Sequence, residues 1–311
     1  MGLTPRTFGY LRDGITDLAA AREIEGQLSG LGSQNWFVDS GGGSDTGSFD
    51  GKTWQQPFST LDFAIGQATP DNGDVIYVMP GHAETVSAAA GIDFDVAGLE
   101  VIGLGRGTAR PTITMSAVAS TVHFDAANTH IKNFLFLTEA DNVIVIDIDK
   151  TDCTVEGCEF RARIAATARE WVTCIDIDGG TANACDRTRI LGNLFTSPTA
   201  GADNCIGLDE VQANVEIAYN QMWGDFADAP IHNPSGSVLT NLWIHHNVLE
   251  NTQTGDHSLE LVSASTGVIS HNLYKNNMTQ ATGADPGACW NFENYHSDAV
   301  DVSGIISPVI T

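Results

Sequence analysis

A short element of the form Ile-x-x-Asn recurs through the second half of the chain, and it limits the fold more than any other feature. Written as six positions, Val155–Phe160 (VEGCEF), Ile190–Phe195 (ILGNLF), Ile217–Met222 (IAYNQM), Ile244–Leu249 (IHHNVL) and Ile269–Tyr274 (ISHNLY) align, and Ile131–Phe136 (IKNFLF) joins them less well. Successive first positions are 24, 35, 27, 27 and 25 residues apart. A period of this length with variable inserts is the signature of a solenoid, in which each repeat is one turn and the inserts are loops on the rim. Aliphatic first positions and large apolar sixth positions are expected to point inward. The fourth position, Cys158, Asn193, Asn220, Asn247 and Asn272, is expected at a bend, where asparagine accepts left-handed backbone and stacked amides bond along the axis. This ladder is structural, not catalytic.

A second strand precedes each element. Ile146-Asp147-Ile148-Asp149, Ile175-Asp176-Ile177-Asp178, Ile206-Gly207-Leu208-Asp209, Ile231-His232-Asn233-Pro234 and Leu259-Glu260-Leu261-Val262 fall into one register. In the first three, alternation sends aliphatics inward and acids outward. Stacked coils would then bring Asp147 over Asp176, and Asp149 over Asp178 over Asp209. Like charges in such rows destabilise unless solvent, a proton or a cation relieves them. Three readings stay open: a solvated acidic surface, a Ca²⁺ site on Asp149, Asp178 and Asp209, or an acid and base pair for glycan cleavage drawn from Asp147, Asp176, Asp178 and Asp209 with His246. His246 and His271 hold equivalent third positions next to His245, and would stack as a pair suited to proton transfer or metal binding. Asp39, Asp45 and Asp50 in the glycine-rich 41–51 loop are a weaker calcium candidate; a turn is the simpler reading.

The expected fold is all-β, a right-handed parallel β-helix over residues 33–282. A short amphipathic helical arm over 1–32 (Leu11, Ile15, Leu18, Ala21, Ile24, Leu28) precedes it, and a closing segment over 283–311 follows, with Gly304–Ile310 as a final strand. A capping helix started by Ser59 or Thr60 should cover the open end of the stack. Residues 35–84 contain Trp36-Phe37-Val38-Asp39, a Gly/Asp-rich loop, Pro57-Phe58-Ser59-Thr60-Leu61 and Gly73-Asp74-Val75-Ile76-Tyr77-Val78-Met79-Pro80-Gly81. This segment resembles the opening of pectate-lyase-like parallel β-helix proteins. That superfamily holds lyases, hydrolases, epimerases and non-enzymatic phage virion proteins, so the resemblance implies fold far more than chemistry.

The formal charge of −25, from 39 acidic against 14 basic residues, excludes the clustered Lys/Arg that nucleic acid binding needs. It also opposes recruitment of an acidic polysaccharide unless calcium bridges the two. The N-terminus lacks the pattern of a signal peptide, and no stretch is apolar enough to cross a bilayer. The six cysteines match no zinc spacing and read as small buried side chains.

No polygalacturonase-like or lyase-like set of catalytic residues is recognisable. The resemblance therefore implies most closely a tailed-bacteriophage virion protein: a head decoration, turret or spike, homotrimeric, leaning away from catalysis and located in the virion. Its partners would be its own copies, major capsid or tail proteins, and a host surface glycan, with no nucleic acid or membrane. Alternatives are a polysaccharide-degrading enzyme on the same fold and a non-catalytic adhesin using Trp171, Trp223 and Trp243 where exposed. Apart from calcium, no cofactor is expected.

Overall fold

A computed structural model describes residues 32–163, 169–233, 236–276, 283–297 and 304–305. The expected arm over 1–32 and residues 306–311 lie outside these apart from Gly32. The chain forms a right-handed parallel β-helix with three sheets. In each coil a strand of sheet 1 leads through a sharp bend into sheet 2, then around to sheet 3, as in Thr154–Glu156, Glu159–Ala162 and Trp171–Ile177. Among the described residues seven coils carry all three strands, since sheet 3 has seven strands and sheets 1 and 2 have ten each.

The register follows the repeat. On sheet 1, Ile131, Val155, Ile190, Ile217, Ile244 and Ile269 pair in sequence, and all are fully buried. On sheet 2 the sixth positions Phe136, Phe160 and Phe195 stack with centroids 4.9 and 4.8 Å apart, nearly parallel. Sheet 3 pairs Ile146, Ile175, Ile206, Ile231 and Leu259. All six cysteines are free and buried.

The asparagine ladder forms, with one correction to its geometry. Asn193 Oδ1 accepts the Cys158 amide at 2.8 Å, and Asn220, Asn247 and Asn272 repeat the contact at 2.9 Å. Asn294 extends the ladder by a further rung at 2.7 Å. Each amide nitrogen also donates to a carbonyl of the coil before, as Asn220 does to Ile190 at 2.8 Å. The left-handed residue, however, is the third position and not the asparagine: Asn133, Gly157, Gly192, Tyr219, His246, His271 and Glu293 have φ between 54° and 64°. A fourth-position side chain must point inward to reach its neighbours' backbone, so the chain reverses one residue earlier, where the side chain faces solvent.

Helix α1 (Leu61–Ile65) sits against the first coils through Leu61, Ala64 and Ile65. Thr60 occupies its N-cap without a side-chain capping bond. The Ser59 and Thr60 hydroxyls donate instead to Asp45 at 2.7 and 2.8 Å, which fixes the 41–51 loop over the helix start. Asp39 and Asp50 accept backbone amides two residues on, at 2.9 and 3.1 Å. These three acids are therefore turn brackets. At the other end, Trp290–Phe292 and Tyr295–Ser297 continue sheets 1 and 2, and Gly304–Ile305 pairs antiparallel with the last of them. An antiparallel strand ends a parallel stack because it offers the next coil no matching register.

Candidate functional site on sheet 3

The outward positions of sheet 3 form one continuous row: Asp93, His123, Asp147, Asp176, Gly207, His232 and Glu260. Asp149, Asp178 and Asp209 follow two residues on, at the strand ends, and their amides donate to Phe124, Ile148 and Ile177 at 3.1, 3.2 and 3.3 Å. The expected acidic stripe is present in the expected register.

It is not uniformly solvated, which corrects the simplest reading. Asp176 is only 7% exposed, and its Oδ1 has no hydrogen-bond partner among the described residues. Burial, then the charges of Asp209, Asp147 and Asp178, push its carboxyl up to about 8. Asp147 is raised to about 6 by burial and by Asp149, and burial with Asp178 raises Asp209. Asp176 is therefore a neutral acid at pH 7, held so by burial and by the charges of the neighbouring carboxyls. No ion-pair partner meets Asp147, Asp176, Asp178 or Asp209 among the described residues; His232, next in the row, lies 3.6 Å from Asp228 and 4.0 Å from Glu260.

Gly207 carries no side chain in this row. A Cβ there would lie 3.0 Å from Thr173 Cγ2, 3.1 Å from Asp176 Oδ1 and 3.5 Å from Asp209 Oδ1, so the two carboxyls close in over its backbone. A proton donor set beside a carboxylate acceptor has the group types of general acid and base chemistry.

His123 was not foreseen, although Val122-His123-Phe124 has the same inside-outside-inside alternation as Ile146-Asp147-Ile148. Its Nε2 lies 3.0 Å from Asp149 and its Nδ1 3.4 Å from Asp93. Burial lowers its affinity for a proton, but the hydrogen bond to Asp149 and the charges of Asp149, Asp147 and Asp93 outweigh this and leave it raised. Donor atoms of His123, Asp147 and Asp149 all lie within 4.8 Å of one another. Such a mixed nitrogen and oxygen set suits a borderline divalent metal better than Ca²⁺. Of the expected calcium ligands, Asp178 already accepts the Gly180 amide at 2.8 Å.

His246 and His271 stack in parallel at 4.8 Å, as their equivalent positions implied. They occupy the bend between sheets 1 and 2, not sheet 3, so His246 does not join the aspartates. It lies 2.9 Å from His245, and His271 is 2.7 Å from Glu293. Of the three tryptophans considered, Trp171 is buried and donates to the Asn204 carbonyl at 3.0 Å, whereas Trp223 and Trp243 are 41% and 50% exposed. Among the described residues no helix is long and apolar enough to cross a membrane.

No protein-family model matches the chain, and no curated protein matches it. Among solved structures it is similar to pectate lyase Pel9A, with TM-score 0.48 and 14% identity over 88% of this chain and 79% of that one. It is likewise similar to ORF18 of Geobacillus virus E2, with TM-score 0.46 and 10% identity over 93% and 66% of the two chains. A rhamnogalacturonan lyase gives TM-score 0.37 and 13% identity over 88% and 89%. The chain's own three stacked sheets are those of a parallel β-helix.

Proposed function

We propose that the chain is a structural protein of a tailed-phage virion, an exposed β-helical head decoration, turret or spike that assembles as a homotrimer and acts without catalysis. The observation that carries this reading is the contrast between sheets 2 and 3. Along sheet 2 Glu159 pairs with Arg110 and Arg161, Glu250 with Lys275 and, just past its strand, Glu139 with Arg163 and Arg169, whereas Asp225 alone has no ion-pair partner among these described acids. Its outward row, Leu135, Glu159, Leu194, Gln221, Val248, Leu273 and Tyr295, is mostly apolar, and Leu194 and Tyr295 are 38% and 49% exposed. A chain of charge −25 repels its own copies except through a face whose charges cancel. Sheet 2 is such a face, and packing it inward turns the unpaired acids of sheet 3 to solvent. The virion setting rests on the resemblance of residues 35–84 to the superfamily that includes phage virion proteins.

Light scattering coupled to size exclusion tests the assembly: a particle of three chain masses is expected, reduced to one by Leu194→Glu with Tyr295→Lys. Co-sedimentation with capsid or tail proteins encoded beside this chain tests the location. A stable monomer without affinity for either would sink the proposal.

One observation favours a second reading, polysaccharide cleavage. Asp176, whose carboxyl burial pushes up to about 8, lies over the Gly207 backbone with Asp209; in this reading it protonates a glycosidic oxygen while a neighbouring carboxylate acts as base or nucleophile. Incubation with capsular and algal polysaccharides decides it. Cleavage abolished by Asp176→Asn would support the reading, and intact polymer with the unaltered chain would refute it.

A further inference from the structure

Sheet 1 carries an open groove of about 440 Å³ that the acid row and the assembly face do not use. One wall is the outward row Arg189, Glu216, Trp243 and Val268, paired strand to strand. The other is the bend just before these strands, where Arg187, Asn214 and Asn241 adopt left-handed backbone with φ of 64°, 63° and 55°.

The polar groups are held rather than loose. Arg187 makes two bonds of 2.6 Å to Asp152. Glu216 accepts Arg189 through one oxygen at 2.8 Å and meets His245 through the other at 3.3 Å. The His245 ring lies 4.1 Å from the indole of Trp243 and so supports it. Asn241 Nδ2 donates to Asn214 Oδ1 at 2.6 Å. That leaves the side-chain atoms Asn241 Oδ1 and Asn214 Nδ2 with no hydrogen bond among the described residues, at the surface beside a half-exposed indole.

These facts select a ligand class. An anion finds no free positive charge, because both guanidiniums are already matched by carboxylates, and the chain as a whole repels it. A cation meets two arginines, and both oxygens of Glu216 are taken. A polynucleotide fails for the same reason as other polyanions. What fits is an uncharged ring with one apolar face and hydroxyls around its rim. The apolar face covers the indole, and the rim exchanges hydrogen bonds with a preset acceptor, a preset donor and the Arg189–Glu216 pair. We propose that this groove binds a neutral pyranose unit of a glycan, seated on Trp243 and oriented by Asn214 and Asn241. The inference does not rest on assembly, which uses sheet 2, nor on cleavage, which uses sheet 3.

The test uses the full chain with a panel of neutral gluco-, manno- and galacto-oligosaccharides, read by saturation-transfer NMR and by calorimetry. Binding by at least one of them is expected, weakened about tenfold or more by Trp243→Ala and several-fold by Asn241→Ala. Trp243→Phe should restore part of the affinity, and Trp223→Ala, on sheet 2, should leave it unchanged. Because the ligand is uncharged, high salt should have little effect. Unchanged melting of Trp243→Ala separates lost binding from lost fold. The proposal is overturned if no neutral oligosaccharide binds, if only acidic glycans bind and salt removes them, or if Trp243→Ala alters the particle mass while glycan binding stays intact.

Discussion

Replacing Asp176 by asparagine should stabilise the fold at neutral pH, and the gain should disappear in acid. The carboxyl ionises near 3.8 when unfolded and at about 8 when folded. Below 3.8 both states hold the proton and the wild-type chain has its full stability. As pH rises, the unfolded chain releases the proton while the folded one retains it, so stability falls until the folded carboxyl also ionises near 8. The slope is about 1.4 kcal/mol per pH unit for one group, which gives roughly 4 kcal/mol between pH 4 and pH 7 as an upper figure. Asp147 and Asp209 share the same environment and take up part of the change, so roughly 2 kcal/mol or more is expected to separate the two proteins at pH 7. The amide keeps the shape and burial of the side chain and removes its ionisation. Urea unfolding followed by tryptophan fluorescence, for both proteins from about pH 4 to about pH 8, measures the difference directly. Profiles that run parallel, or an asparagine variant less stable at pH 7, would refute the reasoning. Either would mean that a partner holds the carboxylate ionised.

Three further outcomes follow from the packing. Asn220→Ala removes the acceptor of the Asn193 amide and the donor to the Ile190 carbonyl; leaving both buried groups unpaired should lower stability by roughly 3 kcal/mol, visible in the urea midpoint. Phe160→Ala interrupts the stack between Phe136 and Phe195, fully buried, and should cost roughly 3–5 kcal/mol by the same measurement. At Tyr219, where φ is 60°, glycine should be tolerated, while valine should cost about 1–2 kcal/mol, because a β-branched side chain resists left-handed backbone; equal stability of the two variants would contradict the assignment of the reversal to the third position.

Much of the architecture could be read from local pattern. The aliphatic first positions and large sixth positions report inward-facing strands because side-chain alternation is fixed by the backbone, and a regular period leaves no other way to bury them. The register of the aspartates on sheet 3 followed from the same alternation. His123 and Gly207 were harder to see. One belongs to a coil outside the asparagine repeat, and the other matters through the side chain it lacks. The place of the reversal was misassigned because the conspicuous asparagine masks a variable neighbour: Gly, Tyr and His at the third position have no common chemistry, only a common φ.

The sequence by itself thus determined the solenoid, its inner stacks and the rows along its faces, since these depend on periodicity and hydrophobic burial alone. Tertiary structure decided how each row is used. Asp176 and Asp178 are two residues apart with the same alternation, yet only Asp176 is sealed from water, with its Oδ1 left unbonded among the described residues. Trp171 and Trp243 are indistinguishable as letters, yet one fills the interior and the other lines a groove. Burial and electrostatics depend on what the coils above and below place alongside a residue, and neighbours some 25 residues away in sequence supply that environment.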